Sequence, residues 1–481
     1  MEKKLTILLF VTLVPIVTTL AQESTATLTL AQAVDAALSQ GSDSRILKKN
    51  LDVGREQYRL SVSQNSFALS GSLGESGTYG FGDDTLLLGN SLASGFNQTP
   101  QAGLSLNSPL TSIGVNVSPY LAANPLITEF SNLSSIFPGS SLVAPGPTGN
   151  VGLSVNQTLW NGFPGGTGRA AVEKSLLALR GKELSAESGK LNVISTVTQA
   201  YFVMLGAQRN LIVKEQILEQ QNTLLSQISA LQKINQATAV DLRGAQINAQ
   251  SAEIDVSSAR NDLHIARIRL AQLIGWPRDR EFSITEEEDP QMPVAGVDEA
   301  VAEAMKRRTE FLQIELNRQS LMIDRALIAG RRTPTISVNG GVTVIVDWNR
   351  LNSAGQGSLG IQLGMPILDA GAAGHQLEAN RIQNEVYGAQ EDQLRASIAT
   401  DVEEAYELVQ ISLQRLQVAR LTAEKYDLIF KLKKAEAQYG AASTQDLLNA
   451  SVDTANAQSA VVRAQRDAQL AVLQLRNAMG Y

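Results

Sequence analysis

The chain has no cysteine among its 481 residues. Disulfides, thiolate metal sites and a thiol nucleophile are therefore excluded. Histidine is almost absent as well: His264 and His375 stand alone in helix-forming sequence and read as ordinary surface residues. Aromatic residues make up 5% of the chain, few for a protein built on large compact cores. Basic charge is not in excess. The net charge of −7 argues against a nucleic-acid partner, which wants a basic face. No run beyond the N-terminus approaches the ~20 apolar residues of a spanning helix. The sequence holds no Gly-rich phosphate loop, metal-ligand spacing or nucleophile pattern, so neither an enzyme nor a cofactor or metal is expected.

What is present begins with a leader. Glu2-Lys3-Lys4 precedes an apolar run, Leu5 to Val17, and then Thr19-Leu20-Ala21. This charged, apolar and small-residue order predicts a signal peptide over residues 1–21. The alternative is a single anchoring helix, for which the run is short. An exported chain without apolar helices enters a membrane, if it does, as strands.

The dominant feature is a duplication. Adding 205 to each number from Gly168 to Gly275 lands on Ala373 to Gly480 without a gap. Glu173 falls on Glu378, Ala200-Tyr201 on Ala405-Tyr406, Asp241-Leu242 on Asp446-Leu447, and Gly275 on Gly480. Both copies lack proline and are rich in Ala, Gln, Leu, Glu and Arg, good helix formers. Each predicts one very long helix and a second running back, residues 168–275 and 373–480. The leading region repeats too, 267 residues on: Ala33, Val34 and Ala37 match Ala300, Val301 and Ala304. The expected organisation is a first repeat over 22–275, a connector over 276–297 and a second repeat over 298–481. The connector's acidic run, Glu286 to Asp289, reads as solvated.

Each repeat also carries period-2 sequence. Ile336, Val338, Val342 and Val344 alternate with Ser337, Asn339 and Thr343, and Leu359, Ile361, Leu363 and Met365 with Gly360, Gln362 and Gly364. Strands are predicted over 335–347 and 357–367, with a loop from Trp348 to Gln356 between them. In the first repeat Phe67, Leu69 and Leu73 form one strand, and Val151, Leu153 and Val155 its partner. A length of about 10 residues suits a tilted membrane strand. Aliphatic residues on one face and small polar ones on the other suit lipid outside and water inside, although a half-buried soluble sheet gives the same alternation. Trp160 and Trp348 fall at strand ends. The stretch 74–150 reads as a long loop. It is either a surface insertion or a lid, and Ile113, Val115 and Val117 leave room for extra strands within it.

The long helices show a thin heptad seam: Ile217, Leu224 and Leu231, then Leu421 and Leu428 in the second copy. Gln, Ser and Ala interrupt it, which suits a helix wetted on two faces better than a solid rod. At the hairpin turns, Gly440 and Asn235 both tolerate the left-handed conformation. Thr238 with Asp241, and Ser443 or Thr444 with Asp446, predict capped helix starts.

In its order of parts over some 450 residues, the chain resembles the TolC family of outer-membrane efflux ducts. The patterns that carry the likeness are Leu28-Thr-Leu-Ala-Gln-Ala-Val34, Arg331-Arg-Thr-Pro-Thr-Ile-Ser337, and Tyr439-Gly440 with Asp446-Leu-Leu-Asn-Ala450. The resemblance implies a mainly α fold with a β-barrel portion. Three copies would each give four strands to a twelve-stranded barrel in the outer membrane of a diderm bacterium. Their helical hairpins would form a periplasmic α-barrel. It implies a homotrimer in outer-membrane lipid, a periplasmic adaptor docked near Asn235, Gln236, Tyr439, Gly440 and Ala441, and an inner-membrane pump. It also implies a constriction at Asp446, Asn449 and Asp241. Asn449 replaces one of the family's two aspartates, so one carboxylate ring is expected, its three charges raising one another's pKa. The family's closing tyrosine and arginine fall on Ala437 and Ala442. The competing reading is a structural coiled-coil protein without a pore, which does not need the strand pairs.

Overall fold

The computed structural model describes residues 26–79, 96–120, 148–286, 288–347, 352–439 and 441–481. The expected leader, the start of the loop at Trp348, and Gly440 lie outside them. In chain order the elements are β1 (Ala26–Leu28), α1 (Leu30–Gln40), α2 (Ser42–Gln64), β2 (Ala68–Tyr79), β3 (Phe96–Asn107), β4 (Thr111–Tyr120) and β5 (Thr148–Trp160). There follow α3 (Thr167–Lys233), α4 (Ala239–Ile274), β6 (Phe282–Ile284), α5 (Val297–Arg307) and α6 (Glu310–Gly330). The last are β7 (Thr335–Asp347), β8 (Asn352–Gly364), α7 (Ala372–Gln438) and α8 (Thr444–Ala478).

The helices recur in matching order in the two halves, while the strands do not match in number. Helices α3 and α7 each run 67 residues, roughly 100 Å, and begin and end 205 residues apart. Helices α1 and α5 each run 11 residues and bury Ala33 and Ala37, and Ala300 and Ala304, completely. The glycine that ends each hairpin, Gly275 or Gly480, is left-handed (φ 77° and 84°). A Cβ on Gly275 would lie 2.7 Å from the Gln40 carbonyl at the end of α1, so only glycine lets those backbones meet.

The chain divides into two compact units that cut across the repeats. The first comprises Met1–Ser44, Val193–Pro293 and Glu407–Gln474. In it β1 pairs with β6 in parallel, so the connector is not wholly irregular. Tyr201, fully buried, sets its hydroxyl 2.8 Å from the Thr285 carbonyl and 3.2 Å from that of Leu28. The two ends of the acidic run, Glu286 and Asp289, have partners rather than being merely solvated. Glu286 pairs with Arg209 of α3 (3.3 Å), and Asp289 accepts from Arg420 of α7 and Gln465 of α8 (2.7 and 2.8 Å). The Arg420 guanidinium holds the Asp289 carboxyl below its usual pKa. Long-range partners of this kind leave no trace in local sequence.

Helix packing along the first half of α4 is close because the residues buried there are small. From Ala245 to Ala259 the buried positions of α4 are Ala245, Ala249, Ala252, Val256 and Ala259, a three-four alternation of coiled-coil type. Helix α3 joins α4 through Lys214–Asp255 and Glu215–Arg260. It joins α8 through a buried hydrogen bond from Gln221 Nε2 to Ser451 Oγ (3.1 Å). Helix α8 holds α7 where Thr454 Oγ1 donates to the Tyr426 carbonyl (3.1 Å). Leu421 and Leu428, expected in the internal seam, are instead 59% exposed. The repeat offset makes them the counterparts of Gln216 and Thr223, not of the first copy's seam residues.

The second unit comprises Arg45–Asn192, Val294–Tyr406 and Leu475–Tyr481. Among the described residues its sheet has six antiparallel strands in the order β2-β3-β4-β5-β7-β8. The fold class stands, but six strands replace the expected four, because 96–120 folds as a hairpin inside the predicted loop. Strand β2 therefore pairs with β3, not with β5 as expected. Strand β8 also starts earlier than expected: Asn352-Ser-Ala-Gly-Gln has no apolar alternation to reveal it. One sheet face is apolar and uncovered, with Leu73 92% and Leu359 84% exposed. The other carries Ser, Asn, Thr and Gly. Trp160 ends β5, where its indole N–H donates to Thr333 Oγ1 (3.0 Å). No described helix is long and apolar enough to cross a membrane.

Candidate functional site: the hairpin tips

Both tips lie in the first unit, and the same local chemistry builds each. Helix α3 ends at Lys233 because Asn235 is left-handed (φ 56°). The Gln236 N–H then donates back to the Leu231 carbonyl (2.9 Å), closing the helix end. At the second tip the Ala441 N–H donates to the Glu436 carbonyl at the same 2.9 Å.

The returning helices start with reciprocal caps. Asp241 Oδ2 accepts from the Thr238 N–H and hydroxyl (2.8 and 2.6 Å), while the Asp241 N–H donates to Thr238 Oγ1 (3.1 Å). Asp446 does the same with Ser443, at 3.2, 2.7 and 3.1 Å. Each arrangement satisfies helix-start donors that otherwise have no partner. The hydroxyl bond, then the backbone N–H, lowers the pKa of both carboxyls below their ordinary 3.8. Within one chain the caps thus work against the mutual raising expected for a ring. Lys433, ion-paired with Glu436 (2.8 Å), adds a further lowering at Asp446.

Asn449 accepts from Gln445 (3.0 Å), one turn earlier on α8, and is exposed, as is Asp446. Asn235, Gln236 and Ala441 are exposed, and Tyr439 stands 88% free. The predicted positions therefore gather at the two turns.

Beneath them lies a cluster that local sequence does not reveal: Leu224, Ile228, Ala245, Leu447 and Leu448, with Phe430 and Ala437 against it. Ala437 thus takes a place in apolar packing. A groove of about 280 Å³ runs beside this cluster, lined by Gln216, Gln220 and Thr223 of α3 and by Phe430 and Lys434 of α7. The Leu that follows Asp241 and Asp446 in both repeats was the available signal.

Two apolar stripes are left uncovered among the described residues. Val240, Ile247 and Ile254 recur every seven residues on α4 and are 61–78% exposed. Val418, Leu421, Leu428 and Leu432 lie on α7, 56–63% exposed. Helices α4 and α7 are the two that flank the α3–α8 contact. His264 and His375 are exposed on helices, and no group of metal-binding side chains occurs among the described residues.

Against known proteins, the profile of the outer membrane efflux protein family matches residues 145–276 and 300–481. The outer membrane efflux protein BepC of Brucella suis is 22% identical over 336 residues, 69% of this chain and 72% of BepC. The outer membrane protein VceC of Vibrio cholerae superposes with a TM-score of 0.68 at 16% identity, covering 94% of this chain and 96% of VceC. A membrane protein from Pseudomonas aeruginosa gives 0.70 at 18%, covering 94% and 93%.

Proposed function

Since the chain belongs to the outer membrane efflux protein family, we propose that this outer-membrane efflux channel works as a passive homotrimeric duct, fed by an inner-membrane pump through a periplasmic adaptor. One observation carries the reading. The sheet has an exposed apolar face, and β2 and β8 at its outer edges have no further strand among the described residues. An open sheet of this kind is unstable in lipid and must close with other copies. The uncovered stripes on α4 and α7 support the same closure in the helical part. They present apolar heptads on the two flanking helices, where a neighbouring copy can cover each with the other.

In this duct the adaptor docks at the exposed turns, around Asn235, Gln236, Tyr439 and Ala441. Asp446 and Asp241, with Asn449 about one turn further along α8, ring the entrance and favour cations. The two repeats, 22–275 and 298–481, each supply one long helical hairpin to each copy's share of the wall, and four and two strands to its sheet. The duct needs no catalytic group, and the energy comes from the pump. The chain's lack of cysteine makes the test clean: introduce Ile247→Cys and Leu432→Cys together, which the helix contacts place at a similar height, and treat the detergent-purified protein with a flexible bis-maleimide crosslinker. Covalent ladders ending at three chains are expected. Monomer alone, or ladders ending at two, would refute the homotrimer.

A further inference from the structure

The hairpin β3–β4 is what separates this sheet from the four-stranded contribution implied by the resemblance. It lies between β2 and β5, which would otherwise be neighbours. Strand β3 pairs with β2 from Ala68↔Asn107 to Tyr79↔Phe96, and β4 with β5 from Thr111↔Gln157 to Tyr120↔Thr148. The two strands pair with each other through Leu104↔Val115 and Leu106↔Ile113.

Register decides which way each side chain faces. Leu104 lies opposite Gly71 and Val115, and Val115 lies opposite Leu153. The apolar face of the hairpin is therefore continuous with that of β2 and β5. Ser105 pairs with Ser70 and Gly114, and Gly114 with Ser154, so the polar face is continuous too. Exposure agrees: Val115 and Val117 are 40% and 41% exposed, Val151 and Leu153 of β5 both 46%. The strands have 12 and 10 residues, and about 9–11 suffice to cross a bilayer.

The turn is fixed to the base of the sheet. The Leu110 carbonyl accepts from the Thr158 N–H (2.6 Å), and the Ser108 N–H donates to the Thr111 carbonyl (2.7 Å). Leu110 lies against Gly166, left-handed at φ 87°, where a Cβ would come within 2.8 Å of the leucine. Pro109 lies against Gly168 at the start of α3 in the same way. A hairpin that merely covered the barrel mouth would need neither the matched alternation nor this anchorage.

We propose that β3 and β4 cross the membrane as part of the barrel wall, facing lipid hydrocarbon with Leu104, Leu106, Ile113, Val115 and Val117. This rests on the duct reading above. Three copies of six strands then close a barrel of eighteen strands instead of twelve. Diameter grows roughly in proportion to strand number, so the barrel is about half as wide again. Its lining of Ser, Gly and Asn leaves that width open. The wall therefore admits bulkier cargo than a twelve-stranded barrel.

Single-cysteine variants test this in the assembled protein, reconstituted in phosphatidylcholine vesicles. Leu104→Cys and Val115→Cys carry a bimane fluorophore, read against acyl chains bearing a nitroxide quencher. Ser105→Cys and Asn116→Cys are read by a charged maleimide. Leu153→Cys and Ser154→Cys on β5 are the controls, and only variants that assemble as the parent does are scored. The expected result is quenching at 104 and 115 as strong as at 153, with maleimide reaction at 105 and 116 as at 154. Quenching at 153 but not at 104 or 115 overturns the six-stranded wall and leaves the duct intact. No quenching at 153 overturns the membrane-facing sheet itself, and the proposal with it.

Discussion

Replacing Leu153 by arginine perturbs the proposed membrane wall at its centre. Leu153 is the sixth residue of the thirteen in β5. At about 3.4 Å per residue it lies near mid-strand. Its side chain is on the exposed apolar face, flanked by Val115 and Val342. An arginine on the lipid face at the bilayer midplane costs about 2–4 kcal/mol. With one such residue in each of the three copies proposed, the assembled barrel loses roughly 6–12 kcal/mol. Ser154→Arg is the matched control. It lies one residue along, on the opposite face, with Gly114 and Gly341 as cross-strand neighbours. There a long side chain has room and water, and the cost falls within about 0.5 kcal/mol, as for an ordinary surface substitution. The assay is urea-dependent folding into vesicles, read by trimer yield and midpoint. The expected result is a large loss for Leu153→Arg and a near-native midpoint for Ser154→Arg. Equal tolerance of the two, or a greater loss for Ser154→Arg, would refute the assignment of faces.

Three further outcomes are expected. The caps at Asp241 and Asp446 hold both carboxyls below their ordinary pKa, so cation selectivity in planar bilayers should persist as pH falls through the usual carboxylate range. Ser443→Ala removes the hydroxyl bond that lowers Asp446 most and should move the loss of selectivity to higher pH; an unchanged pH profile would dissociate Asp446 from the entrance. Asp289 has a depressed pKa in the folded chain, so its stabilisation is present above the unfolded pKa and lost as pH falls through the folded one. Asp289→Asn should therefore lower stability in urea by about 0.5–1 kcal/mol at neutral pH, since the group is half exposed, and by nothing measurable once the acid form prevails. Asn235→Val should destabilise the first tip by about 1–2 kcal/mol, because the position is left-handed, while Asn235→Gly should be tolerated; hydrogen exchange at residues 228–242 reads both.

The helices were legible because duplication shows the same answer twice. A 205-residue offset and a proline-free composition give α3 and α7 to within a residue or two. The caps were legible for the same reason: Thr238 and Asp241, and Ser443 and Asp446, sit at the spacing a helix start requires. The hairpin β3–β4 was only half visible. Ile113, Val115 and Val117 alternate plainly, but Phe-Asn-Gln-Thr-Pro-Gln opens β3 without any alternation, and its pairing partner supplies the order. The acidic connector reads as merely solvated because the partners of Asp289, Arg420 and Gln465, are 131 and 176 residues away. Leu421 and Leu428 show a different limit. Heptad spacing marks a seam, yet does not say whether the other side of that seam belongs to the same chain. At the tips, sequence located the turns but not the apolar cluster under them, because Leu224, Ala245 and Leu447 converge from three helices.

The most direct test of the duct is single-channel conductance of the purified protein in planar lipid bilayers, recorded for the native chain and for the paired variant Asp241→Ala, Asp446→Ala. The account predicts steady, cation-favouring steps from the native protein and steps with reduced cation preference from the variant. Silence from both, with folded and inserted protein demonstrated in the same membrane, would contradict a water-filled path through the assembly.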